Sequence, residues 1–271
     1  MQPVKDQMSE IQSAVFTGKI SEIILPSSRI VKVRETNGDD DEILSNLGEA
    51  ANGQSVMNFL ANIVLEDSIK GGKPLVGDIL NWPVSDRYYL LFKQRLINRG
   101  DLLEFSFVCQ TRDCPSQKDG EKVQPLEEDL KQFDGDLSDP NYKPFGLHQP
   151  IKYPFGNSPI VELKLSSEKL LRYKILTGVL EQKQLALPAD KTTKNTKLTI
   201  RELELYQNGN WVIQLNFKAF SSREMTEIRK NIDISDPLYD PIVKYHCPVC
   251  KTPYQIPLLA IPSFYWPEDQ M

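Results

Sequence analysis

At 271 residues the chain can bury a full core, as one large domain or two modest ones, without disulfide staples. With 32 Lys and Arg against 37 Asp and Glu, the formal net charge of −5 supplies no positive field for non-specific phosphate binding, which disfavours nucleic acid as a partner. Apolar runs such as YYLLF and IPLLAI fall far short of the roughly 20 residues that cross a bilayer, and MQPVKDQMSEIQ has no signal-peptide core, so the expectation is a soluble protein made inside a cell with no membrane span.

Residues 1–18 are polar and read as a flexible arm. KISEIILPSSRIVKVRE then predicts two strands turning at Pro26-Ser27-Ser28, because Ile30, Lys32 and Arg34 alternate with Val31 and Val33. Asp39-Asp40-Asp41-Glu42 ahead of Ile43, Leu44 and Leu47 suits a helix start, where carboxylates oppose the dipole, and reads as a solvated cap rather than a cation site. Ser55 is placed to cap a helix whose Val56, Phe59, Leu60 and Ile63 form one stripe. KGGKP closes that helix, and Pro74 opens a short one running to Trp82. Ser85 or Asp86 caps the most strongly patterned helix, DRYYLLFKQRLINRG. There Tyr88, Leu91, Phe92 and Leu96 share a face, Arg87 and Arg95 lie elsewhere, and Gly100 is the stop. LLEFSFV alternates as a strand and delivers the chain to Cys109.

From 117 to 159 no hydrophobic period survives, and the segment reads as a long irregular connection. The expectation beyond it is a strand over 160–165, a helix beginning near Ser166-Ser167, and a basic loop at KTTKNTK. LTIRELELY slips phase, leaving bulged strand and helix both open. NGN is a turn, WVIQLNF a strand, and SSREMTEIRKNID a capped helix with Met225, Ile228 and Ile232 inward. A proline-bounded loop, 236–241, leads to IVKYHC.

The chain's only cysteines, Cys109, Cys114, Cys247 and Cys250, fall in two close pairs, each after a β-type run and before a turn. That is the layout of two zinc knuckles, which hold two thiolates on a tight turn about 2.3 Å from one ion. Cys247-x2-Cys250 has the ideal spacing and Cys109-x4-Cys114 the permitted wide one. Residues 115 to 246, 132 in all, separate the pairs. Closing so long a loop costs roughly 4–5 kcal/mol, against about 10–16 kcal/mol for a structural zinc at neutral pH. Three rivals stand beside structural zinc. A thioredoxin-like couple wants its pair at the amino end of a helix, which Thr252-Pro253 and Pro257 oppose. Disulfides or inert thiols run against the usual state of paired cysteines in a reducing compartment. A catalytic zinc keeps an open position with a general base nearby, and four cysteines close the shell. His148, in a proline-rich loop, and His246, covalently next to Cys247, read as spectators. No GxSxG, GxxxxGK[ST] or GxGxxG motif is present, so no enzyme is expected; Glu127-Glu128 and Asp190 read as solubilising.

In order, LPSSRIVKVRE, the acidic helix start, the helix ending in LEDSIK, DRYYLLFKQRLINRGDLLEFSFVCQTRDC, CPVC and SFYW resemble a family. It is the zinc-ribbon baseplate hub or hub-assembly family of contractile-tailed, T-even-type bacteriophages, with relatives in contractile injection systems. The match covers about residues 20–115 and 240–266. Longer segments after Cys114 and over 160–235, and the x4 spacing, depart from the pattern.

The resemblance implies that Cys109, Cys114, Cys247 and Cys250 are structural Zn2+ ligands, and that Asp86 and Arg87 pair to orient their helix. It implies partners among other baseplate hub proteins, with room for an oligomer there, and a place in the virion tail after synthesis in the host cytoplasm. Phe264, Tyr265 and Trp266 are placed either to anchor a partner or to close the chain's own core. The competing function is a zinc-ribbon module for nucleic acid or a transcription complex; a thiol oxidoreductase comes third.

The fold expected is α+β: a small helical N-terminal part over 19–116 ending in the first knuckle, the irregular loop of 117–159, a mixed α/β insertion over 160–241, and the second knuckle with its aromatic tail over 242–271. The two knuckles together make a split zinc ribbon around the insertion.

Overall fold

Ile20–Ile24 (β1) and Ile30–Arg34 (β2) form the expected antiparallel hairpin, with Ile23, Leu25, Val31 and Val33 buried. Its turn closes with the Leu25 amide donating to the Arg29 carbonyl at 2.8 Å, and Ser28 takes a positive φ of 64°. The computed structural model describes residues 18–45, 54–107, 109–111, 114–115, 124–135, 160–188, 193–235, 241–260 and 264, and the arm expected over 1–18 lies almost wholly outside them.

Helix α1 (Gly38–Ser45) holds the acidic run, but Asp40 is not a solvated cap. It is fully buried, takes both guanidinium Nη atoms of Arg34 at 2.7 Å and the Asn62 amide at 2.7 Å, and ties β2 to α1 and to α2 (Gln54–Ile63). Ser55 lies inside α2 and is buried, so it does not cap that helix. Strand β3 (Val64–Asp67) adds to β2, and the short α3 (Val76–Leu80) leads into α4 (Val84–Arg99).

Helix α4 begins at Val84, one or two residues ahead of the expected caps; its expected face meets the core, with Leu91 and Phe92 buried and Tyr88 and Leu96 packed against it, but burial extends well beyond that face. Asp86, Arg87, Tyr89, Leu90, Phe92 and Gln94 are all buried. Among the polar groups here, Asp86 and the Arg87 Nη atoms find partners on other elements. Gly100 takes φ 76°, and β4 (Leu102–Phe107) follows.

The segment expected to be irregular contains β5 (Gln124–Asp129), which pairs antiparallel with β4, and a 3-10 turn, Leu130–Phe133, whose Leu130 and Phe133 are buried. Its polar sequence hides one edge strand and two core residues.

After β6 (Ile160–Lys164) the helix expected at Ser166-Ser167 is absent; a hairpin turn leads instead to β7 (Leu170–Lys174). Helix α5 (Gly178–Leu185) comes next, and KTTKNTK is partly the start of α6 (Lys194–Ile200). The phase slip in LTIRELELY marks the join between α6 and β8 (Glu204–Gln207). Strand β9 (Asn210–Ile213) completes the four-stranded order β6-β7-β8-β9, and α7 (Ser222–Ser235) covers it with Met225, Ile228 and Ile232 inward. The 236–240 part of the expected loop lies outside the described residues. Strands β10 (Ile242–His246) and β11 (Pro253–Pro257) form the last hairpin.

Seven helices and four small antiparallel sheets make this a mixed α+β protein among the described residues. One large core gathers β1 to β5, α1 to α4 and the last hairpin, through Val243, Leu258 and Phe264. A second core lies within 160–232. The two meet where the Val84 amide donates to the Leu176 carbonyl at 2.8 Å and Arg87 Nη2 reaches Glu181 Oε2 at 2.7 Å.

Candidate metal centre

Each cysteine pair sits at the tip of an antiparallel hairpin, β4–β5 for the first and β10–β11 for the second. A hairpin tip reverses the chain within a few residues, so two side chains can point at one spot. In the second pair the Lys251 amide donates to the Cys247 carbonyl at 2.8 Å and Lys251 takes φ 60°; in the first the Cys114 amide donates to the Thr111 carbonyl at 3.0 Å. The backbone amides of Val249 and Cys250 hydrogen-bond the Cys247 sulfur. The amides draw the Cys247 thiol down, but burial and the neighbouring Cys250 and Cys109 sulfurs outweigh them and leave it above its ordinary value.

The two tips meet. All four sulfurs lie within 4.8 Å of one another, with Cys109 to Cys250 at 3.6 Å and Cys114 to Cys247 at 3.8 Å. Four sulfurs about 2.3 Å from a tetrahedral centre stand about 3.8 Å apart, whereas a disulfide brings sulfurs to about 2.05 Å. The spacing fits a shared ion, and none of the four is in a disulfide. Cys109, Cys114 and Cys247 are buried and Cys250 is half-buried.

Hydroxyls surround the sulfurs. Tyr254 Oη is 3.1 Å from Cys109 Sγ and 2.7 Å from Thr111 Oγ1, and Thr252 Oγ1 is 3.2 Å from Cys250 Sγ. The Thr252 hydroxyl and amide draw the Cys250 thiol down to about 6. Burial pushes the Cys109 thiol up, yet the hydrogen bonds from Tyr254 and Thr111 outweigh it and leave it below its ordinary value. Cys109 and Cys250 are thus eased toward the thiolate that a thiophilic divalent cation binds. Phe107 roofs the cluster, its ring 4.8 Å from those of Tyr245 and Tyr254.

Sequence spacing thus found all four cysteines, and the fold brings them together. It did not find Thr111, Thr252 and Tyr254, whose hydroxyls reach the sulfurs only once the hairpins meet; a threonine or tyrosine within four residues of a cysteine is the one local sign. His246 belongs to β10 and is not in the cluster, while His148 lies outside the described residues. Asp86 and Arg87 do not pair with each other. Asp86 accepts from the Ser27 amide at 2.8 Å and from its hydroxyl, and Arg87 turns to Glu181 and to Met57 Sδ at 3.2 Å, because neighbouring helix residues point in different directions. Phe264 takes the core role of the two the sequence allowed, being 1% exposed with its ring 6.4 Å from Phe92, so it is no surface anchor; Tyr265 and Trp266 lie outside the described residues.

Fold and site define an α+β protein with a four-cysteine cluster able to hold a metal ion. No protein-family model, curated protein or solved structure matches the chain. No helix among the described residues is long and apolar enough to cross a membrane.

Proposed function

We propose that the protein is a non-enzymatic structural or assembly component of a contractile-tail baseplate, in its hub region, rigidified by one structural Zn2+ on Cys109, Cys114, Cys247 and Cys250. The sulfur geometry carries the zinc reading: four cysteines fill a tetrahedral shell and leave no position for a substrate. The baseplate reading rests on the resemblance borne by LPSSRIVKVRE, DRYYLLFKQRLINRG and the two cysteine pairs. A scaffold part works through rigid, shape-matched surfaces, and a metal that ties residue 109 to residue 250 supplies rigidity that local sequence does not.

Mass measurement under native and denaturing conditions tests the metal. One zinc per chain, lost on unfolding, is the expected result, and a chain that folds without metal removes the proposal. Mass spectrometry of purified contractile tails tests the placement, with the protein expected among hub components or in their assembly intermediates; absence from both overturns it.

A further inference from the structure

We infer that the chain is a tandem duplication: residues 20–133 and 160–260 are two copies of one unit, and the cysteine centre is the joint where the copies meet, each supplying one pair. The element order carries this first. Strands β1, β2 and β3 and helices α1 and α2 begin at 20, 30, 64, 38 and 54; β6, β7, β8, α5 and α6 begin at 160, 170, 204, 178 and 194, each 140 positions later. Then α4 and α7 begin at 84 and 222, β4 and β10 lead to Cys109 and Cys247, and each knuckle is followed by a returning strand and a 3-10 turn.

Contacts correspond as well as elements. In both hairpin turns the first residue's amide donates to the fifth's carbonyl, Leu25 to Arg29 at 2.8 Å and Leu165 to Lys169 at 2.9 Å, and the fourth residue takes a positive φ, 64° at Ser28 and 67° at Glu168. Arg29 stacks 4.8 Å from the Trp82 ring centre, and Lys169 lies 5.3 Å from that of Phe220. Four residues after each aromatic, an acid in the first turn of the helix accepts the turn serine's hydroxyl: Asp86 from Ser27, Glu224 from Ser167. Across the sheets Lys32 is paired with Glu66 and its counterpart Arg172 with Glu204, each as an ion pair, although the acid lies two positions nearer in the second copy than the strand starts would place it. After each knuckle a fully buried leucine donates back to the residue before the first strand, Leu130 to Asp101 at 2.7 Å and Leu258 to Pro241 at 2.8 Å.

Side-chain identity has nearly gone: over the first hairpin only Ile20, Glu22, Leu25 and Ser27 match their counterparts Ile160, Glu162, Leu165 and Ser167. A shared fold class predicts similar elements, but not the same cation, aromatic, acid and turn serine at the same places. Descent from one unit does.

At the centre the copies are related by an approximate two-fold axis. The first cysteine of each copy stands by the second of the other, Cys109 by Cys250 at 3.6 Å and Cys114 by Cys247 at 3.8 Å. Phe107 and Tyr245, each two residues before its copy's first cysteine, touch each other at 4.8 Å between ring centres. A residue that meets its own counterpart marks a self-complementary joint, the kind that closes homodimers. The knuckle hairpin is therefore a surface built to bind a second copy of its own unit, satisfied here within one chain. This holds whichever ion is bound.

Three full-length variants test it, two in the turn and one in the knuckle. If the turns are equivalent, installing the second in the first, as Pro26→Ser/Ser28→Glu/Arg29→Lys, leaves Tm within about 4 °C of the parent, because Glu168 already tolerates the same positive φ. The same glutamate one position early, Ser27→Glu, lowers Tm by more than about 10 °C by breaking the contact with Asp86. An in-register variant that loses more than 4 °C, or fails to fold, overturns the inference, as does an indifferent Ser27→Glu. The knuckle variant replaces Cys109–Cys114 with a copy of residues 247–250 and is loaded with cobalt. One ion per chain, with the parent's thiolate charge-transfer intensity, is expected. A folded chain that binds no cobalt, or binds it with half that intensity, counts against the joint; if this variant does not fold, the turn variants decide.

Discussion

The two halves hold their hairpins to their helices with the same device and opposite electrostatics. In the second, Lys169 lies beside Glu224, and hydrogen bonds from Ser167 and Lys169 hold that carboxyl down to about 2. In the first, the matching cation, Arg29, pairs with Asp67, which is 1% exposed, and Asp86 takes its hydrogen bonds from Ser27 while feeling Arg29 only through space. Burial then pushes Asp86 up to about 6. Strand pairing sets the acid Asp67 opposite Val31, where Arg29 reaches it, and the apolar Leu205 opposite Leu171. The geometry of turn and helix survives while the charge state of the acid does not, which identifies packing and hydrogen bonding as what the fold retains.

The largest effect is expected where the halves meet. Arg87 is fully buried and its Nη2 bonds Glu181 across the junction; Arg87→Ala leaves that carboxylate without its charge partner and should cost about 3–5 kcal/mol in urea unfolding. A loss below 1 kcal/mol breaks the claim that this contact joins the two cores.

The opposed acids give a sharper comparison. Asp86 has a folded pKa above its unfolded one, so its contribution is fully present below pH 4 and is lost as pH rises through 6, a difference of about 3 kcal/mol. Asp86→Asn should abolish that part of the pH dependence between 4 and 7. Glu224 runs the other way: its contribution is present above about pH 4.5 and is lost as pH falls toward 2, so Glu224→Gln should weaken the fold at neutral pH and converge with the parent in acid. Parallel pH profiles for the two variants contradict the contrast.

Gly178 sits at the same junction, and a Cβ there meets the Leu80 carbonyl at 2.9 Å and the Arg87 guanidinium carbon at 3.2 Å. Gly178→Ala should therefore cost about 1–3 kcal/mol. Its counterpart Gly38 has nothing within 4 Å, so Gly38→Ala should be nearly neutral. Thermal unfolding of the pair measures how differently the matched helix starts are used. The smallest effect is expected at the exposed pair Lys32–Glu66, where solvent screens the charges and Lys32→Ala should leave thermal unfolding essentially unchanged.

Local chemistry was legible where it repeats. The alternation of Val31 and Val33 gave a hairpin, the period of Met225, Ile228 and Ile232 gave a helix, and the cysteine spacings gave two knuckles. It failed where a residue's surroundings come from afar. Ser166-Ser167 looked like a helix start, yet they form a turn held by Glu224 and Glu227, about sixty residues on. The pattern sets Arg87 off the apolar face, and it is buried because Glu181 is there to meet it. The duplication was written as LPSSR and LSSEK, with Trp82 ahead of Asp86 and Phe220 ahead of Glu224, but so few letters stand out only when the contacts align them.

By itself the sequence determined which segments could be strands, which could be helices, and that four thiols would come as two pairs, since turn chemistry and hydrophobic period act over a few residues. Only the tertiary structure decided that the pairs share one centre, that Asp86 is buried with Ser27 as its hydrogen-bond donor, and that Phe264 faces inward. Those outcomes depend on distances between groups far apart along the chain, and such distances exist only once the two cores have closed.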